Sequence, residues 1–385
     1  MKSDSKKILT ICLGLLVYFG TFHLANSQNH NDKLITIGID FDKSKPLKMS
    51  DLFSEIKYIP LETNSNCLIG NMNIPVFGKD IIIQSHDSEQ NIFRFSNNGK
   101  FINKIGKLGP GPKEYHSPVN ELRLIGDTVY AVDFISNQIL CYSLTGNYLK
   151  KYKVNTKAHP KEIIQLPDQS FMISLNATDD FGNIIKTDKN FKILSGFKNS
   201  PLATHNSLPV NFRRINDKIF YCESFIDTIF DITNGTLNPF MSIDYGKYHT
   251  SNLYLSLNKQ DNKVFNKPHI QAFYAGENYF LLTIFYPFQY KVHSVLYHIT
   301  DGKLFMWSEL VNDIDNGITG GHSGFLAGYE MIFTLMPLTI LEKFEKMTDA
   351  EKQDPKNSGF VEMASKIKPE SNPVIMVCKL KNDLL

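Results

Sequence analysis

Two stretches of the chain, NIFRFSNNGKFINKI (residues 91–105) and QILCYSLTGNYLKKY (residues 138–152), share one pattern of apolar, aromatic, serine and glycine positions. The aligned glycines, Gly99 and Gly146, lie 47 residues apart. Self-similarity at this spacing is typical of repeat folds, in which each copy is one structural unit. Weaker copies of the pattern follow at residues 169–194 and 217–237.

The clearest copy contains four short apolar segments joined by turns rich in Gly and Asp. These segments predict strands at residues 119–125, 128–132, 138–143 and 148–154. Four antiparallel strands that recur every 40 to 50 residues are typical of a β-propeller blade. A single blade cannot bury both of its faces, so the units must stack around an axis. We therefore predict an all-β propeller of four-stranded antiparallel blades.

The N-terminus has the pattern of an export signal. A basic segment with three lysines (residues 2–7) precedes an apolar run (residues 8–22), and small residues ending at Ser27 fit signal peptidase cleavage. A membrane anchor is the alternative, but the run is short for a membrane span. Lipidation at Cys12 is disfavoured because an isoleucine precedes it. We predict that residues 1–27 are a signal peptide.

The remaining segment, residues 28–385, is the predicted propeller domain. The chain has 41 Lys and Arg and 39 Asp and Glu, and removing residues 1–27 leaves 38 of each. Nucleic-acid binding normally accompanies a basic patch, so we predict no nucleic-acid partner. We also predict no transmembrane span in the mature chain, and a location in the periplasm or at the cell surface.

The cysteines and histidines show no metal-binding spacing. The domain contains Cys67, Cys141, Cys222 and Cys378, without any CxxC pattern. Export permits disulfides, and the three possible pairings of these cysteines stay open. The sequence NDIDNG (residues 312–317) lacks the final carboxylate of a helix–loop–helix calcium loop. We therefore predict no metal site and no cofactor.

One segment resembles a known repeat. GKLGPGPKEYHSPVNELRLIGDTVYAVDFISNQILCYSLTGNYL (residues 106–149) is similar to an NHL repeat. Over about residues 34–382 the chain resembles the six-bladed, NHL/TolB-like propellers exported by Bacteroidota, which implies six blades here. One departure is Lys113, which stands where that family's loop has a glycine. Lysine would be awkward there if the position required a positive φ. The motifs that carry the resemblance are IKYIPLET, the glycine-rich loop ending in Glu114-Tyr115, IDTIF, NDIDNG and SNPVIMVCKLK.

The stiff loop at residues 106–118 is predicted to connect the outermost strand of one blade to the innermost strand of the next. Glycines permit that crossing and prolines restrict it. Such connections share a face with the loops between second and third strands, so their polar side chains should cluster near the axis. The predicted ligand-binding residues are Lys107, Lys113, Glu114, Tyr115, His116, His86 and Asp87. The alternative is that Glu114 and Tyr115 lock the loop to the next blade.

Two features concern the last blade. Helical periodicity predicts an insertion at about residues 338–368 that packs on one face, and this insertion is either an exposed loop or a lid or partner-docking surface. If the insertion is accessory, replacing it with a short loop should leave the fold intact. The final strand, PVIMVCKL (residues 373–380), should pair with an N-terminal strand, either LITIGI or IKYIP. That pairing would close the ring.

No catalytic residues are predicted. The chain has no G-x-S-x-G elbow, and GGHSGF (residues 320–325) lacks its spacing. We therefore predict an exported, non-catalytic binding or scaffold module for a glycan, a peptide or a partner protein. The alternative is a lyase or hydrolase with its site in the central funnel. Three inward carboxylates or histidines at one depth would favour that enzyme.

Overall fold

The computed structural model describes residues 34–72, 75–86, 88–197, 210–224, 226–248, 267–322 and 324–384. Within these residues, six small sheets form a ring in which each sheet is one blade. The predicted six-bladed β-propeller is confirmed. The predicted signal peptide, residues 1–27, lies outside the described residues.

The N-terminal part contributes β1 (Ile35–Gly38), β2 (Lys45–Lys48), the one-turn helix α1 (Met49–Leu52) and β3 (Phe53–Pro60). Blade 1 contains β4 (Val76–Phe77), β5 (Asp80–Gln84), β6 (Ile92–Ser96) and β7 (Phe101–Gly106). Blade 2 contains β8 (Val119–Ile125), β9 (Thr128–Asp133), β10 (Gln138–Ser143) and β11 (Tyr148–Lys153). Blade 3 contains β12 (Pro160–Gln165), β13 (Phe171–Asp179), β14 (Gly182–Thr187) and β15 (Ile193–Phe197).

Blade 4 contains β16 (Val210–Ile215), β17 (Lys218–Glu223), β18 (Thr228–Asp231) and β19 (Asn238–Asp244). Blade 5 contains β20 (His269–Gly276), β21 (Tyr279–Tyr286), β22 (Lys291–His298) and β23 (Leu304–Val311). Blade 6 contains β24 (Phe325–Ala327), β25 (Glu330–Leu335) and β26 (Val374–Leu380), and β3 is its outermost strand. The first strand of each blade lies nearest the axis, and these inner strands contact one another around the ring.

The ring closes through β3. This strand runs antiparallel to β26, from Val374 opposite Pro60 to Leu380 opposite Phe53. The IKYIP alternative is therefore confirmed. The LITIGI segment instead forms β1, which pairs in parallel with β19 at the outer edge of blade 4, as β2 does with β23 in blade 5.

The NDIDNG loop fastens the closing strand. The Tyr58 hydroxyl in β3 donates to Asp315 Oδ2 at 2.9 Å, and Asp313 Oδ1 accepts from the Ser50 backbone N–H at 2.9 Å. Asp315 Oδ1 also accepts from the Gly317 N–H at 2.9 Å. Burial, and then the Asp315 carboxylate, raises the pKa of Tyr58, so its hydroxyl keeps the proton that it donates. These contacts give the loop a structural role in closure.

The backbone conformation and the close packing of the repeated turn explain why it contains glycine. Gly99 and Gly146 adopt φ values of +81° and +84° in the turn between the third and fourth strands. A Cβ at these positions would lie 2.2 Å from the Pro60 carbonyl oxygen and 2.4 Å from that of Lys104, respectively. Each turn thus packs against the outer strand of the preceding blade at a distance that only glycine allows.

The predicted insertion is helical. It contains α2 (Pro337–Lys346), α3 (Asp349–Gln353) and α4 (Ser358–Ala364), between β25 and β26. Ile340, Phe360 and Ala364 are fully buried and belong to the same hydrophobic cluster as β3, β25 and β26. The predicted helical insertion is confirmed, and its buried side chains disfavour the alternative of an accessory element outside the core. In the part of the chain that the structure describes, no helix is both long and apolar enough to span a bilayer.

Candidate functional site

A cavity of about 470 Å³ lies at the axis of the ring. All six inner strands contribute to it, so the closed ring itself defines its walls. Blades 2, 3 and 4 contribute mainly polar side chains, and blades 1, 5 and 6 contribute mainly apolar ones. The charged and aromatic residues of the lining are Phe77, Glu121, Arg123, Glu162, Arg213, Tyr274 and Phe325.

Two glutamates of the polar wall link neighbouring blades. Glu121 Oε2 in β8 accepts from the Ile163 N–H of β12 at 2.7 Å. Glu162 Oε2 in β12 accepts from the Phe212 N–H of β16 at 2.8 Å. The same contact thus recurs from blade 2 to blade 3 and from blade 3 to blade 4. Because the backbone fixes both carboxylates, their orientation is set before any ligand arrives.

Two arginines lie beside these carboxylates. Arg123 Nη2 contacts Glu121 Oε1 and lies 3.9 Å from Glu162 Oε2. Arg213 Nη1 lies 3.7 Å from Glu162 Oε2 and donates to the Phe212 carbonyl at 2.8 Å. The Arg213 guanidinium also covers the ring of Tyr274, 5.1 Å from its centroid. Each glutamate of the polar wall therefore lies within 4 Å of a guanidinium group.

The electrostatic state of Glu121 follows from its burial. Burial raises the pKa of Glu121, the nearby Arg123 guanidinium opposes this rise, and the Glu162 carboxylate adds to it. Arg123 Nε is buried and has no hydrogen-bond partner among the described residues. An unsatisfied buried donor of this kind is costly, and an acceptor on a ligand would satisfy it.

The opposite wall is aromatic. The Phe325 ring centroid lies 5.8 Å from that of Phe77 and 6.1 Å from that of Tyr274, in tilted arrangements. Phe325 and Tyr274 are at least 90% buried, whereas Phe77 is half-buried. These rings come from blades 1, 5 and 6, so they meet only because the ring closes.

The sequence did not identify this cavity, although it carried one indication. Glu121 and Arg123 are two residues apart in a predicted inner strand, so their side chains share one face of that strand. Charged residues on the face of an inner strand that points to the axis must line the funnel. Their pairing with Glu162 and Arg213 depends on the stagger between blades, which the sequence does not reveal.

The loop at residues 106–118 connects β7 to β8, as predicted. Glu114 folds back on it: its Oε2 accepts from the Gly111 N–H at 2.9 Å, and its Oε1 lies 3.4 Å from Lys107 Nζ. The hydrogen bond from the Gly111 N–H lowers the pKa of Glu114, and the Lys107 ammonium group lowers it further. A Cβ at Gly109 or Gly111 would lie 2.0 or 2.9 Å from Glu114 Oε2. The glycines are therefore needed for the close approach of this carboxylate.

Tyr115 and Lys113 attach the loop to its neighbours. Tyr115 is fully buried, and its hydroxyl donates to the Gln90 carbonyl in the loop between β5 and β6. The Lys113 carbonyl accepts from the Tyr142 hydroxyl at 2.8 Å. Lys113 is not among the residues with a positive φ, so replacing the family's glycine introduces no backbone strain there. The contacts of Glu114 and Tyr115 favour the locking alternative.

The two predicted histidines lie on the surface of the same face. The His116 N–H donates to Asp133 Oδ2 at 2.8 Å, and its ring borders an open depression beside Pro110. His86 borders a cavity of about 240 Å³ with Phe134 and Ile135. Asp87 lies outside the described residues. Ligand binding by the seven predicted residues stays a prediction.

The described residues contain no group of three or more His, Cys, Asp or Glu side chains placed to hold a metal ion. Both ring nitrogens of His322 are within hydrogen-bond distance of protein atoms: Nδ1 lies 2.9 Å from Ser294 Oγ and Nε2 lies 2.9 Å from the Ser308 carbonyl. The four cysteines among the described residues are buried and free. The prediction that the chain binds no cofactor remains a prediction.

Comparison with known proteins places the chain in a family. A family model described as Domain of unknown function (DUF4934) matches residues 33–379. The chain belongs to the DUF4934 family. A search of curated proteins gives no match to this DUF4934 chain. It is similar in structure to an exported protein of Bacteroides fragilis NCTC 9343, with 16% identity and a TM-score of 0.71, covering 91% of this chain and 100% of that one.

Two further solved structures are more distant from the DUF4934 chain. Virginiamycin B lyase from Staphylococcus aureus matches with 15% identity and a TM-score of 0.42, covering 72% of this chain and 81% of that one. A protein of unknown function from Bacteroides caccae matches with 11% identity and a TM-score of 0.41, covering 62% and 81%. The B. fragilis match supports the propeller fold, and neither of these two adds to it.

The loop contacts of the DUF4934 propeller predict a stability effect. We expect Tyr115→Ala to destabilise the fold by about 3–5 kcal/mol, as removal of a buried aromatic ring does. Glu114→Gln should also lower the melting temperature, because it weakens the pair with Lys107. Lys113→Ala is the matched control, since its side chain is exposed, and it should change stability by less than about 0.5 kcal/mol. Urea unfolding of the three variants measures these effects, and an unchanged Tyr115→Ala protein would contradict the locking role.

Proposed function

We propose that this chain is an exported, non-catalytic binding module that takes a glycan, a peptide or a segment of a partner protein into the axial cavity. The lining of the cavity carries the proposal. Carboxylates fixed by the backbone, two guanidinium groups and an aromatic wall converge on a volume of about 470 Å³. Convergent polar groups in an apolar concavity of this size are typical of small-molecule sites.

Export rests on a different part of the chain. The basic segment, the apolar run and the small residues before position 28 fit a cleaved signal. The B. fragilis protein of the same fold is also described as exported. Both observations support our proposal that the mature chain lies in the periplasm or at the cell surface, where glycans and peptides are available as ligands.

The proposal is tested by screening the mature chain, residues 28–385, against arrays of glycans and peptides. The decisive variant is Arg213→Lys, which keeps the charge beside Glu162 but loses the planar fork of donors. Arg214→Lys is the matched control, because Arg214 is the next residue of the same strand and its Nη2 donates to the Gln165 carbonyl outside the cavity. We expect the parent protein to bind at least one ligand of the arrays. Arg213→Lys should bind this ligand at least about tenfold more weakly, and Arg214→Lys should bind it as tightly as the parent protein. No retained ligand in either array, or equal binding by both variants, would reject the axial site.

One observation favours the alternative of a lyase or hydrolase in the funnel. Glu121 has a raised pKa beside a second carboxylate, Glu162, and such pairs act as general acid and base in some enzymes. Against it, the cavity presents two inward carboxylates among the described residues, each near an arginine. Mass spectrometry of retained ligands after prolonged incubation distinguishes the two functions. Cleavage products that disappear in Glu121→Gln would establish the enzyme.

A further inference from the structure

The axial cavity has two unlike walls that face each other. Blades 2, 3 and 4 present Glu121, Arg123, Glu162 and Arg213, whereas blades 1, 5 and 6 present Phe77, Tyr274 and Phe325 with small apolar neighbours. A ligand that fills this space must therefore have one apolar side and one polar side. It needs one apolar face for the rings and an opposite edge of hydrogen-bonding groups.

The polar wall offers donors and acceptors together. A carboxylate only accepts hydrogen bonds and a guanidinium only donates them. In the described part of the chain, Glu162 accepts one hydrogen bond, from Phe212 N–H, so it has acceptor positions to spare. The buried Arg123 Nε–H has no hydrogen-bond partner in the same part of the chain, so it can donate to a ligand. Hydroxyl groups use both kinds of partner at once, whereas an anion could use only the arginines and a cation only the glutamates.

The charges of the wall lead to the same conclusion. Two carboxylates and two guanidinium groups lie within 4 Å of a partner of opposite sign. These close pairs place hydrogen-bond donors and acceptors side by side, and each group remains a strong hydrogen-bonding partner. The site is therefore suited to a neutral, hydroxyl-rich molecule.

We propose that the ligand of the axial cavity is a neutral pyranose sugar, bound as a terminal unit of a glycan. Its apolar C–H face packs on Phe77 and Phe325, and its hydroxyl edge bonds to Glu162, Arg123 and Arg213. Pyranose rings combine an apolar face with a hydroxyl edge, which is the division that the two walls require. This inference rests on the proposed function, because it names the ligand class of the same site.

The test is calorimetric titration of the mature chain with methyl glycosides of glucose, galactose, mannose and N-acetylglucosamine. Glucuronate and glucosamine glycosides are the charged analogues of the same ring. We expect at least one neutral glycoside to bind and its charged analogue to bind no more tightly. In saturation-transfer NMR, irradiation of aromatic protons should label the C–H protons of one ring face.

Phe77→Ala and Phe288→Ala form the matched pair of variants. Phe77 is half-buried in the cavity wall, whereas Phe288 is 54% exposed and does not line the cavity. We expect Phe77→Ala to weaken sugar binding at least about tenfold, and Phe288→Ala to leave it unchanged, with both melting as folded proteins. Tighter binding of the uronate, binding of peptides alone, or equal binding by both variants would overturn the sugar inference. The first two of these results would leave the binding module itself intact, whereas the absence of any ligand would remove both.

Discussion

Deletion of residues 28–62 is expected to abolish cooperative folding of the whole propeller. The deletion removes β3, whose seven paired residues complete blade 6 and close the ring against β26. It also removes Met49, Leu52 and Phe53, which are at most 1% exposed in the core. Propellers protect their strand edges by closure, so an open ring would expose β26 as an unpaired edge beside an uncovered core.

The measurement is thermal and urea unfolding of the truncated protein, followed by circular dichroism. We expect no cooperative transition and a tendency to aggregate. Tyr58→Phe provides a graded comparison, because it removes only the bond to Asp315 and should cost about 1–3 kcal/mol while the protein still folds. Glu55→Ala, an exposed change on the same strand, should have almost no effect. A truncated protein that melts like the full chain would show that blade 6 does not need β3.

The blade pattern could be predicted because it is local and repeated. Each turn glycine, such as Gly99 or Gly146, has both a positive φ and a backbone oxygen in close contact. The positive φ is required within each of these copies, and the close contact recurs at each junction with the preceding blade, so both copies keep glycine at the same spacing. The four strands predicted for blade 2 consequently occur within one residue of their predicted bounds.

The closure could be predicted only as a pair of alternatives. LITIGI and IKYIP both have the alternation of a strand, and the partner strand β26 lies about 320 residues farther along the chain. Nothing in either segment identifies its partner. The contact of Tyr58 in IKYIP with Asp315 of the NDIDNG loop exists only after folding, so the sequence does not show it.

The candidate site was harder to predict for a similar reason. The position of the loop at residues 106–118, between the outer strand of blade 1 and the inner strand of blade 2, followed from its glycines and prolines, and the structure agrees. The sequence could not show that Glu114 turns back to the Gly111 N–H instead of facing outward. The axial residues Glu121 and Glu162 were missed because their alignment depends on the stagger of separate inner strands.

The second large effect is the loss of folding expected when the helical insertion is replaced. Replacing residues 339–368 with a short Gly/Ser loop should prevent the protein from folding. Phe360 on α4 packs edge-on against Tyr58 of β3, with ring centroids 5.8 Å apart. Asn316 Nδ2 of the NDIDNG loop also donates to Asn357 Oδ1 of the insertion at 3.2 Å. The insertion therefore covers the strand that closes the ring and holds the loop that fastens it.

Single substitutions test whether the buried side chains of the insertion stabilise the fold. Phe360→Ala should destabilise the protein by about 3–5 kcal/mol, because it removes a fully buried ring from the core of blade 6. Leu338→Ala on α2 is the control, since Leu338 is 66% exposed, and it should stay within about 0.5 kcal/mol of the parent protein. Urea unfolding measures both. Because Phe360 packs against the ring of Tyr58, Phe360→Ala and Tyr58→Ala should also be non-additive in the double variant. A soluble loop-replacement protein with the parent melting temperature, or additive effects of the two substitutions, would show that the insertion is independent of ring closure.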